Sequence, residues 1–307
     1  MEAYSHSLKL MGNNFTITVV DENNDAAQLH IDTAIAEIKR IEKLLTTFSD
    51  ESQTSLINRN AGIHPVKVDR EVYSLIERSI GISAVTQGAF DITYGSLDKS
   101  LWNFDRQMTS LPTKEEALQR VHLINYKNIV LDPEEGTVML REKGMRIGFG
   151  GIGKGYAAEM AKNLLIANGV QSGIINASGD LTAWGLQPSG QPWRIGISDP
   201  DSPEKFFSYL AVSGKAVATS GNYEKFVMIG GKKYSHTIDP KTGLPISGIK
   251  SVTIIAENAE FADAMATPIA VMGIKAGLNL VDQLAGLFCI IIDDYNNMYT
   301  SKNINLK

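Results

Sequence analysis

Across residues 31–48 the apolar side chains recur at helical spacing: Ile31, Ala34, Ile35, Ile38, Ile41, Leu45 and Phe48. A stripe that long and that regular predicts an amphipathic helix with one face that must be covered. Its opposite face carries Asp32, Glu37, Lys39, Arg40 and Lys43, a solvated surface. Just upstream, residues 15–20 alternate as a strand, with Phe15, Ile17 and Val19 on one side. Asn23-Asn24-Asp25 between them offers a turn and a helix cap.

Further along, Asp69 can cap a second helix that uses Val72, Leu75, Ile76 and Ile80 and ends before Gly88. Residues 101–127 are mixed. Short strands are expected at 129–131, 137–140 and 146–149. A glycine-rich turn, 150–155, leads into a helix over 156–168 that Gly169 stops. Strands follow at 173–177, 193–197, 207–212, 216–219, 250–256 and 287–293, with helices at 259–272 and 276–284. There is no repeat, low-complexity stretch or linker. The pattern predicts one α+β domain over residues 1–307, a mixed, largely antiparallel sheet with helices packed on it.

Composition excludes several classes. The chain has 307 residues, 43% hydrophobic and 21% charged, enough apolar material for a core. A net charge of -5 and the lack of any Lys/Arg-rich run give no general attraction for nucleic acid. Cys289 is the only cysteine, so an internal disulfide framework and cysteine-rich zinc or iron–sulfur sites are excluded. Its apolar setting reads as a buried hydrophobe. The first ten residues carry no apolar signal core, and no apolar run is long enough to span a bilayer. With Met1 as the native start the expected location is cytoplasmic, and extracytoplasmic only if a leader has been trimmed.

Five segments can carry chemistry. In Gly150-Gly151-Ile152-Gly153-Lys154-Gly155, clustered glycines allow close approach to a phosphate and Lys154 adds charge. The spacing is neither a P-loop nor the dinucleotide fingerprint, and a structural turn reads equally well. In Asp263-Ala264-Met265-Ala266-Thr267-Pro268, a helix puts Asp263 and Thr267 on one face. A carboxylate plus a hydroxyl suits Mg²⁺, although two oxygens alone rarely define a site. His236 stands in Tyr234-Ser235-His236-Thr237-Ile238-Asp239-Pro240, before a turn; a lone histidine is more often structural. Gly88-Ala89-Phe90-Asp91-Ile92-Thr93 and Asn176-Ala177-Ser178-Gly179-Asp180 each set an acid beside small residues, as a ligand-contacting end or simply as a turn.

Taken in order, these segments resemble the ApbE family, the FAD:protein FMN transferases. The resemblance runs from Leu10-Met11-Gly12 to Met272-Gly273. It includes Thr47-Phe48-Ser49, Trp193-Arg194-Ile195-Gly196-Ile197 with Asp199-Pro200, and Ala218-Thr219-Ser220-Gly221-Asn222-Tyr223. It implies FAD as substrate and Mg²⁺ held by Asp263, Thr267 and the carbonyl of Gly151. It implies that Met11, Phe48, Ala89, Phe90, Asp91, Lys154 and Ile238 contact FAD, Phe48 by stacking and Asp91 on the adenosine side. His236 matches a histidine implicated in transfer, and Asp180 is expected to give polar support. Two departures stand out. Gly148 replaces an aspartate frequent six residues before the lysine, and Ser178 replaces a frequent glycine.

The implied reaction is attack by a Ser or Thr hydroxyl of an acceptor protein on the FMN-side phosphorus, with AMP leaving and His236 removing the proton. The rivals are an FAD pyrophosphatase that yields FMN and AMP, and a protein that binds FAD without chemistry. No convincing copy of an acceptor motif is present in the chain itself.

Overall fold

A computed structural model describes residues 1–102, 108–199, 202–221, 226–302 and 304. The chain opens with an antiparallel pair, β1 (Glu2–Leu10) and β2 (Asn13–Asp21). Phe15, Ile17 and Val19 of β2 are wholly buried, as their alternation requires. The long helix α1 (Asn24–Leu45) follows, capped by the Asn23 side chain, which accepts from the Ala26 N–H at 3.0 Å.

The helix is shorter than its apolar stripe. Thr46 turns to extended backbone, and two hydroxyls then take the last carbonyls. Thr54 Oγ1 donates to Leu45 O at 3.1 Å, and Ser52 Oγ to Thr46 O at 2.6 Å. Phe48 therefore lies beyond the helix and is 99% exposed. Helix α2 (Gln53–Arg59) and strand β3 (Val66–Lys67) lead to α3 (Arg70–Val85). Asp69 sits at the start of α3, yet its side chain accepts from Gln53 Nε2 and not from a helix amide.

The mixed stretch contains α4 (Lys114–Val121), whose start is a capping box between Thr113 and Glu116. Strands β4 (Ile129–Asp132) and β5 (Thr137–Leu140) pair with β3. Residues 146–149 are not a strand. The Asn58 side chain brackets Ile147 in the way a neighbouring strand would, accepting its N–H at 2.7 Å and donating to its carbonyl at 3.0 Å.

Helix α5 (Gly153–Ala167) starts inside the glycine-rich turn. Then come β6 (Gly173–Ala177), β7 (Asp180–Trp184), β8 (Trp193–Asp199), β9 (Ser202–Val212), β10 (Lys215–Gly221), β11 (Phe226–Ile229), β12 (Lys232–Ser235) and β13 (Ile249–Ala256). The chain finishes with α6 (Ala259–Met272), α7 (Ile274–Val281), β14 (Phe288–Asp293) and β15 (Met298–Thr300).

The main sheet has the order β1-β2-β6-β7-β10-β13-β14-β15, and each pair is antiparallel. Helices α1, α5 and α6 share one core with its inner face, including Ile17, Ile175, Ala218, Ile254 and Ile291. The β8–β9 hairpin covers the other face through Trp193, Ile197, Leu210 and Val212, which pack on Leu181, Val217 and Ile255. Strand β13 is buried at every residue, as a central strand covered on both faces must be. Cys289 is buried in the main core, and burial pushes its thiol up to about 12, so it is an inert hydrophobe. Among the described residues no helix is long and apolar enough to cross a membrane.

Candidate active site

A cleft of about 750 Å³ opens where four of the five chemistry-bearing segments meet. Its wall includes Ala89, Phe90 and Asp91 from the turn after α3, and Gly148, Gly150 and Gly151 before α5. It also includes His236, Thr237 and Ile238 after β12, and Thr267 and Pro268 of α6. A cavity of this size takes a small-molecule ligand.

Behind the wall, α5 and α6 touch backbone to side chain. A Cβ on Gly155 would lie 2.2 Å from the Ala259 carbonyl oxygen, so only glycine permits this approach. At that contact the Gly155 N–H donates to Asp263 Oδ2 at 2.9 Å. Lys154 Nζ lies 2.8 Å from Asp180 Oδ2 and 3.4 Å from Asp263 Oδ1. Asp180 Oδ1 in turn accepts the Thr219 N–H at 3.0 Å. Three elements, α5, β7 and α6, thus bring one ammonium and two carboxylates together.

The electrostatics follow from burial. Burial pushes the Asp263 carboxyl up and Lys154 pulls it back down, while the nearby Asp180 raises it and the Gly155 N–H lowers it. Burial also works against the Lys154 ammonium, but Asp263 and Asp180 together hold its pKa above the ordinary value. Lys154 therefore stays charged.

Asp263 and Thr267 do lie one turn apart on a single helix, and Thr267 Oγ1 donates to Ser220 Oγ at 3.4 Å. Among the described residues no group of three or more His, Cys, Asp or Glu gathers to hold a metal. A cation here would have to use hydroxyl and carbonyl oxygens beside a single carboxylate. Such hard donors are present in Asp263, Thr267 and the Gly151 carbonyl, and Gly151 and Thr267 both border the cleft. One oxygen of Asp263 has only a loose ammonium contact at 3.4 Å. The donor set therefore fits a hard divalent ion.

Other expected residues are placed variously. Asp91 borders the cleft, but its oxygens serve the local turn. Oδ1 accepts the Thr93 N–H at 2.8 Å and the Thr93 hydroxyl at 2.6 Å, and Oδ2 accepts the Tyr126 N–H at 2.9 Å. Burial raises its pKa against those bonds. Met11 has a left-handed φ of 50° and packs its methyl toward Gly153; it is not on the cleft wall. Phe48 is not on the wall either, although its neighbour Thr47 is. Ile238 is buried, and its N–H donates to the Tyr94 hydroxyl at 3.2 Å. Ser178 has φ 54°, the left-handed region where glycine is at ease. At Gly148 a side chain would meet nothing within 4 Å. Pro200, Asn222 and Tyr223 of the quoted motifs lie outside the described residues.

Sequence reasoning missed Tyr94, Lys99, Trp102 and Arg146, which also line the cleft. Tyr94 follows closely on the Phe90-Asp91 segment, the one signal that pointed toward it. The other three lie in stretches with no local motif.

The ApbE family model matches residues 11–291. An FAD:protein FMN transferase of Klebsiella pneumoniae is 30% identical over 306 residues, covering 99% of this chain and 93% of that protein. One from Treponema pallidum is 32% identical over 284 residues, covering 87% and 78%. Among solved structures, the ApbE protein of Thermotoga maritima superposes with a TM-score of 0.86 at 32% identity, covering 98% and 97%. The apo flavinyl transferase ApbE of Pseudomonas stutzeri gives 0.84 at 26% identity, covering 98% and 95%. With the cleft, the Lys154–Asp263 junction and the α+β sheet order all in place, this chain belongs to the ApbE family.

Proposed function

We propose that this chain is an FAD:protein FMN transferase that moves the FMN half of FAD onto a Ser or Thr hydroxyl of an acceptor protein and releases AMP. The observation that carries the reading is the junction of Lys154, Asp180 and Asp263 behind a ligand-sized cleft bordered by Gly151, Thr267 and His236. A phosphoryl transfer needs positive charge at the phosphates and a base at the attacking hydroxyl, and little else.

The acceptor oxygen bonds to the FMN-side phosphorus, and the bond from that phosphorus to the bridging oxygen breaks. The bridging oxygen leaves with AMP. His236 borders the cleft and takes the hydroxyl proton. Lys154 is kept cationic by its two carboxylates, and Asp180 fixes its direction. Gly150 and Gly151 bring backbone to the cleft wall with no side chain in the way. When bound, Mg²⁺ on Asp263, Thr267 and the Gly151 carbonyl would supply charge neutralisation at the pyrophosphate.

The test is incubation with FAD, Mg²⁺ and a candidate acceptor, followed by mass spectrometry of both proteins and the nucleotides. The reading expects FMN-labelled acceptor and AMP in equal amounts. Free FMN with AMP and an unlabelled acceptor would make the chain a pyrophosphatase. Intact FAD would make it a binding protein.

A further inference from the structure

One wall of the cleft differs in character from the glycine-lined part. Tyr94, Leu97, Trp102 and Ile238 border it and also form a small apolar cluster of their own. Such a surface suits a flat heteroaromatic ring.

Within that wall the Tyr94 hydroxyl has a fixed position. Its helical turn, residues 92–96, is capped by Asp91, and the Tyr94 N–H donates to the Asp91 carbonyl at 3.0 Å. On the other side Ile238 is held by its bridge to Pro245. The hydroxyl accepts the Ile238 N–H at 3.2 Å, and among the described residues it donates to nothing. Burial pushes the phenol up to about 12, so it keeps its proton at neutral pH. Tyr94 is half-buried on the cleft wall, and an O–H there with no protein acceptor depends on solvent. Solvent can satisfy it only until a ligand displaces that water; the ligand must then supply the acceptor.

We propose that Tyr94 is a ligand-binding residue whose hydroxyl donates to a ring carbonyl or ring nitrogen of the bound dinucleotide while it holds Ile238, two residues from His236, in place. The proposal rests on the reading of FAD as the substrate. Adenine and isoalloxazine both offer such acceptors, and the two halves of FAD tell them apart.

The experiment titrates the full chain and Tyr94→Phe with FAD, with FMN and with AMP, by flavin fluorescence or calorimetry. Thermal melts of each protein with and without FAD run alongside. Tyr94→Phe should bind FAD roughly 2–10-fold more weakly, the span of one neutral hydrogen bond. One fragment should lose affinity by the same factor and the other should not, which names the ring. The FAD-induced rise in melting temperature should shrink, a readout taken within each protein and so independent of its basal stability. Unchanged affinity for all three ligands would overturn the proposal. So would an equal loss for both fragments, since that marks a general slackening of the wall. The two readings fail separately. A wild type that binds FAD but transfers nothing sinks the transferase and leaves Tyr94 testable. A wild type that transfers FMN beside a Tyr94→Phe variant with wild-type binding sinks Tyr94 alone.

Discussion

The N–H of Gly155, in the first turn of α5, donates to Oδ2 of Asp263 in the second turn of α6 at 2.9 Å. The relation is reciprocal one turn on. The N–H of Ala259, first residue of α6, donates to Oε2 of Glu159 on α5 at 2.9 Å. Lys162 Nζ holds the other oxygen of Glu159 at 2.5 Å. Each helix thus uses a carboxylate to satisfy a free amide at the start of the other, and the head of each is favourable ground for negative charge. The position of Asp263 is set by this double contact.

Gly155→Ala tests that contact directly. The added Cβ would meet Ala259 O at 2.2 Å and Asp263 Cβ at 2.7 Å, a backbone and a packed side chain that cannot step aside. Forcing α5 and α6 apart should cost about 1–3 kcal/mol, the usual range for overpacking. Transfer should fall more steeply than stability because Asp263 moves with α6. Urea unfolding at constant slope measures the first, and a wild-type midpoint would show that the helices separate freely.

Asp263→Ala should abolish metal-dependent turnover. It removes the one carboxylate of the donor set, and Lys154 keeps only Asp180 as partner. The protein should lose some stability but stay folded, since the Gly155 N–H and Lys154 each lose a partner while Lys154 keeps Asp180. Calorimetric titration with Mg²⁺ decides the matter: equal affinity in variant and wild type would take Asp263 out of the metal site.

Glu71 links stability to acid pH. It accepts from Arg40 at 2.7 and 2.9 Å and from the Tyr156 hydroxyl at 2.6 Å. The Arg40 bonds are the largest influence, and they hold its pKa below the ordinary 4.5 against the opposing effect of burial. A lowered folded pKa means stability that is complete above about 4.5 and lost as pH falls through the folded value. Glu71→Gln should therefore weaken the fold near neutrality, and the gap from wild type should close as pH falls below 4.5 through the folded pKa. Urea melts across that range check it. A gap that stays constant down the range would mean that the carboxylate charge contributes nothing.

Some of this architecture was readable from local pattern, and some was not. The bounds of α6 followed because Asn258 caps it and Gly273, at φ 81°, can only stop it. The pairing of Asp263 with Thr267 needed only the helical period. The end of α1 was misplaced because Thr46, Ser52 and Thr54 stop it through bonds from a later segment, while Phe48 merely continues the spacing. Residues 146–149 look like a strand because a strand's partner has been replaced by the Asn58 side chain, 89 positions away. The cleft wall was the least legible part. Tyr94 meets Ile238 across 144 residues, and nothing local in either segment announces the other.

Ser178 gives a test of backbone strain. A non-glycine residue at φ 54° carries roughly 1–2 kcal/mol of left-handed penalty. Its hydroxyl offsets part of this by accepting the Asn14 N–H at 3.0 Å and donating to the Asn14 carbonyl at 3.1 Å. Ser178→Gly removes both effects and should change stability by less than about 1 kcal/mol. Ser178→Ala keeps the strain and loses the bonds, so it should be the worse of the two by about 1 kcal/mol, the strain that glycine relieves. Matched denaturant curves compare them: an alanine variant as stable as the glycine one would deny the strain, and one as stable as wild type would deny the hydroxyl any role.

His236 separates transferase from hydrolase. It borders the cleft on the segment that the Ile238–Pro245 bridge and the Asp239 N–H to Leu244 carbonyl bond at 2.9 Å make rigid. A protein hydroxyl arrives on a bulky partner in a single orientation, so its base must stand where the acceptor enters. Geometry of that kind comes before acidity in choosing a base. His236→Ala should keep FAD and Mg²⁺ binding, because the ion cluster and the apolar wall are formed by other residues. Transfer should fall by roughly 10²–10⁴-fold, the usual contribution of a general base. Slow hydrolysis to FMN and AMP should persist, since water is small and approaches from several directions. A single-turnover assay that follows AMP and labelled acceptor together reads both rates. Transfer at the wild-type rate would make His236 a structural residue and move the search for the base to Asp180.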